Sequence, residues 1–169
     1  MAIEPHDHLE NQTIATVIDW INSGVELCRI SKPDVPKTHL VSYFVVVDGD
    51  YLLLVDHRNA RMWLPTGGHV EPGEHPRETV LRECAEELSV QAEFLIDAPV
   101  LVSRTETVGI TRGHTDVSIW YAIKGDRQAH LNYDEREFKG IRWFHKDELP
   151  EKTDPHLGRC VKKLHAILT

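Results

Sequence analysis

The chain has 169 residues, 41% of them hydrophobic and 27% charged, with a formal net charge of −8. This balance excludes a disordered chain, and the negative charge excludes a basic groove that would grip nucleic acid or an anionic membrane. A phosphorylated small molecule is not excluded, because a divalent cation can neutralise the contact between phosphates and an acidic surface.

The three cysteines, Cys28, Cys84 and Cys160, fit no zinc spacing and no disulfide framework, so free thiols in a reducing cytoplasm are expected. No apolar leader stands at the start of the sequence, and runs such as "YFVVV" and "YLLLV" are too short to span a bilayer. Both features point to a cytoplasmic protein. With no linker or repeat dividing it, residues 1–169 read as a single domain. Residues 1–10 are expected to be flexible, 11–37 to form a helix and loop, and 38–168 to form the core.

Ile14, Val17, Ile18, Ile21 and Val25 recur at helical spacing and predict a first helix ending near Ser23-Gly24. Two uses are open for it, a homodimer contact or a cover for the sheet of its own chain. "SKPDVPK" follows as a loop, because its prolines forbid helix and ladder alike. "HLVSYFVVVDGDYLLLVDH" predicts two strands meeting at Asp48-Gly49-Asp50, a strong hairpin signal. Further strands are predicted near Phe94–Thr107, Asp116–Lys124 and Gly140–Phe144. A last helix should start with Asp154 as N-cap and Pro155 behind it, with Leu157, Val161, Leu164 and Leu168 as its apolar stripe. Strands with helices before, between and after them predict an α/β/α sandwich around a mixed sheet.

The chemistry concentrates in "WLPTGGHVEPGEHPRETVLRECAEELSV", Trp63 to Val90. Pro76 and Leu88 bracket a helix on which Val80, Leu81, Cys84, Ala85 and Leu88 share an arc of about 140°. Glu83, Glu86 and Glu87 fall in an arc of about 100° on the other side. Each like-charge pair among them costs about 0.2–0.5 kcal/mol, and Glu78, four residues before Arg82, offers only one compensating pair. A solvated glutamate face is the plain explanation of such a run. Gly67-Gly68, read as a loop that allows close backbone approach, and the Pro72-Gly73 turn that delivers Glu74 to the helix favour a metal–phosphate site instead. Carboxylate oxygens are the ligands that Mg²⁺ or Mn²⁺ accepts.

Gly68, Glu74, Arg82, Glu83, Glu86, Glu87 and Val90 stand at the spacing G-x5-E-x7-R-E-U-x-E-E-x-G-U, U being a bulky aliphatic residue. This segment resembles the signature of the Nudix hydrolase family, and the flanking order of elements extends the resemblance loosely over residues 38–168. Cys84 stands where an aliphatic is usual, a small change for a buried thiol. Ser89 replaces a glycine whose place after the helix suits a left-handed cap.

The resemblance implies hydrolysis of a pyrophosphate bond in a nucleoside diphosphate linked to another group, with a divalent metal as cofactor. Nucleoside triphosphates come first among the substrates, ahead of nucleotide sugars and dinucleoside polyphosphates. Glu83, Glu86 and Glu87 are then the expected metal ligands, one of them serving as base, and the Gly67 carbonyl is a further ligand. Arg82 is expected to orient Glu74 and its neighbours. The extra acid that the family often uses is best matched by Glu137, with Glu135 and Asp134 as alternatives. His114, Asp116 and Ser118, on one strand face, are candidates for substrate contact. Arg58, Arg61, Arg104 and Arg112 are candidates for distal phosphates. Trp63, Trp120 and Trp143 are expected in the core. His69 and His75 flank the motif, but no second ligand at metal spacing supports a histidine site. A nucleotide-sensing domain without turnover and an isoprenyl diphosphate isomerase are the competing readings.

Overall fold

A strand that is apolar on both faces needs cover on both sides, and the stretch from Leu40 to Val47 meets that description. In the computed structural model, which describes residues 3–32, 35–107 and 113–169, this stretch lies within β1 (Thr38–Asp48). The other elements are α1 (His8–Asn22), β2 (Tyr51–His57), β3 (Met62–Leu64), β4 (Thr66–His69), α2 (Pro76–Leu88), β5 (Leu101–Glu106), β6 (Thr115–Lys124), β7 (Phe138–His145) and α3 (Leu157–Leu168). Tyr43, Val45 and Val47 pack with Leu157, Cys160, Val161 and Leu164 of α3. Phe44 and Val46, on the opposite face, pack with Val80, Cys84 and Leu88 of α2. The result is the expected α/β/α arrangement.

Among the described residues the sheet has seven strands in the order β3-β2-β1-β6-β5, with β4 also on β1 and β7 also on β2. It is mixed: β1 and β6 run parallel along their whole length, while the other pairs are antiparallel. β1 is long enough to hold two partners on one edge. Val46–Asp48 pair with β2, and Val41–Phe44 pair with β4. The β1–β2 hairpin turns at Gly49-Asp50, where Gly49 takes φ 59°. Trp120 is fully buried and its indole donates to Ser103 Oγ at 2.8 Å; Trp63 and Trp143 pack against the core as expected. All three cysteines are buried free thiols. Among the described residues no helix is long and apolar enough to cross a membrane.

Four local expectations are corrected. Gly67-Gly68 form part of a paired strand, not a loop, because β1 offers them a free edge. β5 covers only Leu101–Glu106, since Pro99 cannot donate to a ladder and restrains Ala98; Phe94 keeps one isolated bridge to Ile123. α3 begins at Leu157, not behind Asp154, whose carboxylate accepts the His156 N–H at 2.7 Å in the turn before the helix. The first ten residues are not uniformly loose: Asp7 caps α1 by accepting the Glu10 N–H, and α1 starts at His8. Glu10 is fully buried and receives Lys163 Nζ of α3 at 2.8 Å, while Asp7 pairs with Arg159. α1 also buries Val17 among Cys28, Leu40, Val70, Val102 and Val117 of its own chain.

Removing one member of a buried ion pair strands the other charge and costs about 3–5 kcal/mol, whereas replacing both by apolar residues is far milder. Lys163→Met is therefore expected to lower unfolding stability by about that amount, and Glu10→Leu added to it should recover most of the loss in urea titrations. Ser89 adopts φ 56°, ψ 31°, the left-handed cap expected of the replaced glycine. Ser89→Gly should raise the melting temperature by about 2–4 °C, measured by calorimetry.

Candidate active site

The site is built where α2 lies over β4. Helix α2 starts firmly: His75 Nδ1 accepts the Arg77 N–H, Glu78 accepts the His75 N–H at 2.8 Å, and Pro76 occupies the first turn. Glu78 thus serves the cap and not Arg82. Ser42 Oγ of β1 donates to the Pro76 carbonyl at 2.7 Å and fixes the helix start against the sheet. The turn before it is closed by Glu74 N–H donating to the Glu71 carbonyl at 2.9 Å, with Gly73 at φ 83° as a type II turn requires.

Arg82 organises the acids. Its Nε and Nη2 donate to the two oxygens of Glu74 at 3.0 and 3.1 Å, and its Nη1 donates to Glu83 Oε1 at 2.6 Å. Nη2 also donates to the His69 carbonyl at 3.1 Å, and Nη1 lies 3.6 Å from Glu86 Oε2. Glu74, also bonded by Thr79 Oγ1 and the Glu71 N–H, faces Arg82 and acts through it. The Arg82 hydrogen bonds hold the Glu74 carboxyl well below its usual range, at about 2.

Glu83 and Glu87 do not stand on a solvated face. The Glu83 side chain is 14% exposed and Glu87 is 6% exposed, both turned toward β4, while Glu86 stays at 62% on the outside. Glu87 Oε2 accepts the Gly67 N–H at 3.1 Å. The two glycines are sterically required. A Cβ on Gly68 would overlap the Glu83 carboxylate, and one on Gly67, at φ 148°, would overlap the Ser42 carbonyl and Tyr43. Burial raises the Glu83 carboxyl despite Arg82. Burial, with Glu83 adding to it, pushes Glu87 up to about 9, opposed only by the Gly67 N–H.

These residues fit a hard divalent cation. The donors are all carboxylate oxygens, the one guanidinium among them is already engaged by Glu74 and Glu83, and buried Glu87 is driven toward its neutral form for lack of counter-charge. Glu83, Glu86 and Glu87 are the residues that would hold such an ion.

The other sequence candidates divide clearly. The negative charge of exposed Glu137 acts on both Glu83 and Glu87. Asp134 is engaged by Arg136, and the Glu135 carbonyl accepts Arg58 Nε at 2.9 Å. Arg58 also donates its N–H to the Glu137 carbonyl, and Arg61, at φ 56°, turns the chain between β2 and β3. Arg104 is exposed on β5, and Arg112 lies outside the described residues.

The polar face of β6 is turned inward. His114 is 7% exposed and Ser118 is fully buried. Asp116 Oδ1 lies 3.2 Å from His114 Nε2 and 3.4 Å from His39 Nε2, with His69 beside them. Burial, with Arg29 and His39 adding to it, lowers His69 to about 4. Sequence reasoning missed His39 because no local spacing links residues 39, 69 and 114; only strand pairing brings them together.

The family model for the NUDIX domain matches residues 37–164. The bis(5'-nucleosyl)-tetraphosphatase [asymmetrical] of Rattus norvegicus is 30% identical over 112 residues, covering 66% of this chain and 75% of that protein. A NUDIX-family hydrolase from Clostridium perfringens superposes with a TM-score of 0.61 at 21% identity, over 76% of this chain and 97% of the other. The C. elegans Ap4A hydrolase superposes with a TM-score of 0.61 at 18% identity, over 77% and 98%. A match to the family model over most of the chain, on the fold and the glycine–carboxylate geometry described above, makes the protein a member of the Nudix family and a Nudix pyrophosphohydrolase.

Proposed function

We propose that the protein uses Mg²⁺ or Mn²⁺ to hydrolyse a pyrophosphate bond in a nucleoside diphosphate linked to a further group, with dinucleoside polyphosphates as the leading substrates. The observation that carries the reaction is the convergence of Glu83 and Glu87 on the β4 glycines, with Arg82 fixing Glu83. The substrate choice rests on the similarity to the asymmetrical bis(5'-nucleosyl)-tetraphosphatase, which moves such molecules ahead of the nucleoside triphosphates first expected.

A divalent ion on Glu83, Glu86 and Glu87 supplies charge neutralisation for the phosphates and polarises water. The chain's own groups do the rest. Glu74 locks Arg82, Arg82 holds Glu83 in one orientation, and the Gly67 N–H holds Glu87. One of these carboxylates, or Glu137 beside them, takes the proton of the attacking water. Arg58 and Arg61, near the Glu137 segment and on the β2–β3 turn, are placed in this reading at the distal phosphates.

The test is a panel of dinucleoside tetraphosphate, nucleoside triphosphate and nucleotide sugar with Mg²⁺, its products separated by anion exchange. Dinucleoside tetraphosphate should show the highest kcat/KM and yield nucleoside triphosphate plus monophosphate. Glu86→Gln combined with Glu87→Gln should cut kcat by about 10³-fold or more; turnover surviving that change would sink the assignment. Gly68→Ala should displace the Glu83 carboxylate and cost about 10²-fold in kcat/KM, with the melting temperature little altered.

A further inference from the structure

We propose that His39, His69, His114 and Asp116 form a second metal site, separate from the carboxylate face, that takes one divalent transition-metal ion of the zinc class. The four residues come from three adjacent strands and the lead-in to one of them. His39 on β1 is the register partner of Asp116 on β6, and His69 on β4 is the partner of Val41, two residues along the same face of β1. That face is the one α3 covers, opposite α2. His114 stands two residues before Asp116, immediately ahead of β6. One ligand atom from each residue lies within 4.8 Å of all the others. The His39 ring sits 4.9 Å from both the His69 and the His114 rings, centroid to centroid.

The hydrogen bonding of the cluster is suited to a cation. His39 is fully buried, and its Nδ1 lies 2.8 Å from the Pro36 carbonyl. A carbonyl only accepts, so Nδ1 carries a proton toward Pro36 and Nε2 is the ring atom left to face the cluster. Nε2 faces Asp116 Oδ1 at 3.4 Å. Among the described residues His39 Nε2, His69 Nε2 and Asp116 Oδ1 are all buried and have no hydrogen-bond partner. Three orphaned acceptor-capable atoms in one buried cluster are costly unless something positive lies between them.

The dimensions and the outer contacts agree with a metal. Four ligands at about 2.0–2.1 Å around a tetrahedral ion stand about 3.4 Å apart. The Asp116 oxygen is 3.4 Å from His39 Nε2 and 3.2 Å from His114 Nε2, and the wider pairs need only draw inward. Ligating histidines are typically held through their other nitrogen. Pro36 holds His39 in that way, and Thr107 Oγ1 lies 3.2 Å from His114 Nδ1.

The chemistry selects the ion. Three imidazoles and one carboxylate suit zinc, cobalt or nickel; a hard ion held by charge alone would find one acid and the nearby positive charge of Arg29, which already acts on His39 and His69. Four protein ligands close the coordination sphere, so the ion pins strands β1, β4 and β6 together and does not meet substrate.

The experiment titrates Co²⁺ into the purified, chelator-stripped full chain in the presence of excess Mg²⁺, which saturates the carboxylate face. The expected result is strong visible absorption of tetrahedral cobalt at one ion per chain, lost on adding one equivalent of Zn²⁺. The Glu86→Gln/Glu87→Gln variant should keep these bands, so the result does not depend on turnover or on the proposed substrate. His39→Gln and His69→Gln should each weaken Co²⁺ binding by 10-fold or more, their folding checked by circular dichroism. Only weak octahedral absorption in the unaltered protein would overturn the site, whatever the variants do. Bands that persist in folded His69→Gln, or that vanish with the carboxylate variant, would overturn it as well.

Discussion

The active face depends on how the donors of one guanidinium are shared. Arg82 commits Nε and part of Nη2 to Glu74, the rest of Nη2 to the His69 carbonyl, and Nη1 to Glu83 with Glu86 nearby. A lysine could supply the charge but not this planar fork, whose donors reach the turn before α2, strand β4 and the helix itself. Through Arg82 the turn before α2, the helix itself and strand β4 are held in one arrangement. Glu74 and Glu83 are like charges and partly buried, so without that shared partner neither would have a fixed orientation, whereas Glu87 is held separately by the Gly67 N–H.

Strand β4 is where this arrangement meets the rest of the fold. Its residues alternate between faces: Gly68 lies under the Glu83 carboxylate on the α2 side, while Gly67 and His69 point to the α3 side. Four residues therefore supply the floor of the carboxylate site and one wall of the histidine cluster. The absence of side chains at 67 and 68 is as specific a requirement as the presence of the glutamates, because any Cβ there would fill space already taken by backbone or carboxylate.

Much of this was legible in the sequence where the signal was local. Pro76 to Leu88 could be read as a helix from its proline start and apolar spacing, and the left-handed turn at Ser89 followed from the glycine it replaces. The hairpin at Gly49 and the two-sided sandwich were equally visible. What could not be read depended on pairing between distant segments. Gly67-Gly68 look like a loop until β1 is known to have an open edge. His39, His69 and Asp116 are unrelated letters until the register of three strands sets them side by side. Glu10 looks like part of a polar leader, because nothing near it announces that Lys163, more than 150 residues away, will share its burial.

That last contact ties together the two ends of the described chain. Opening α3 alone would leave buried Glu10 without its counter-charge, and opening α1 alone would do the same to Lys163. The two terminal helices are thus bound to exchange their amide hydrogens as one cooperative unit, at a free energy above that of ordinary fraying ends. Elements that sequence position alone would place among the most mobile are, by this single link, part of the slow-exchanging body of the molecule.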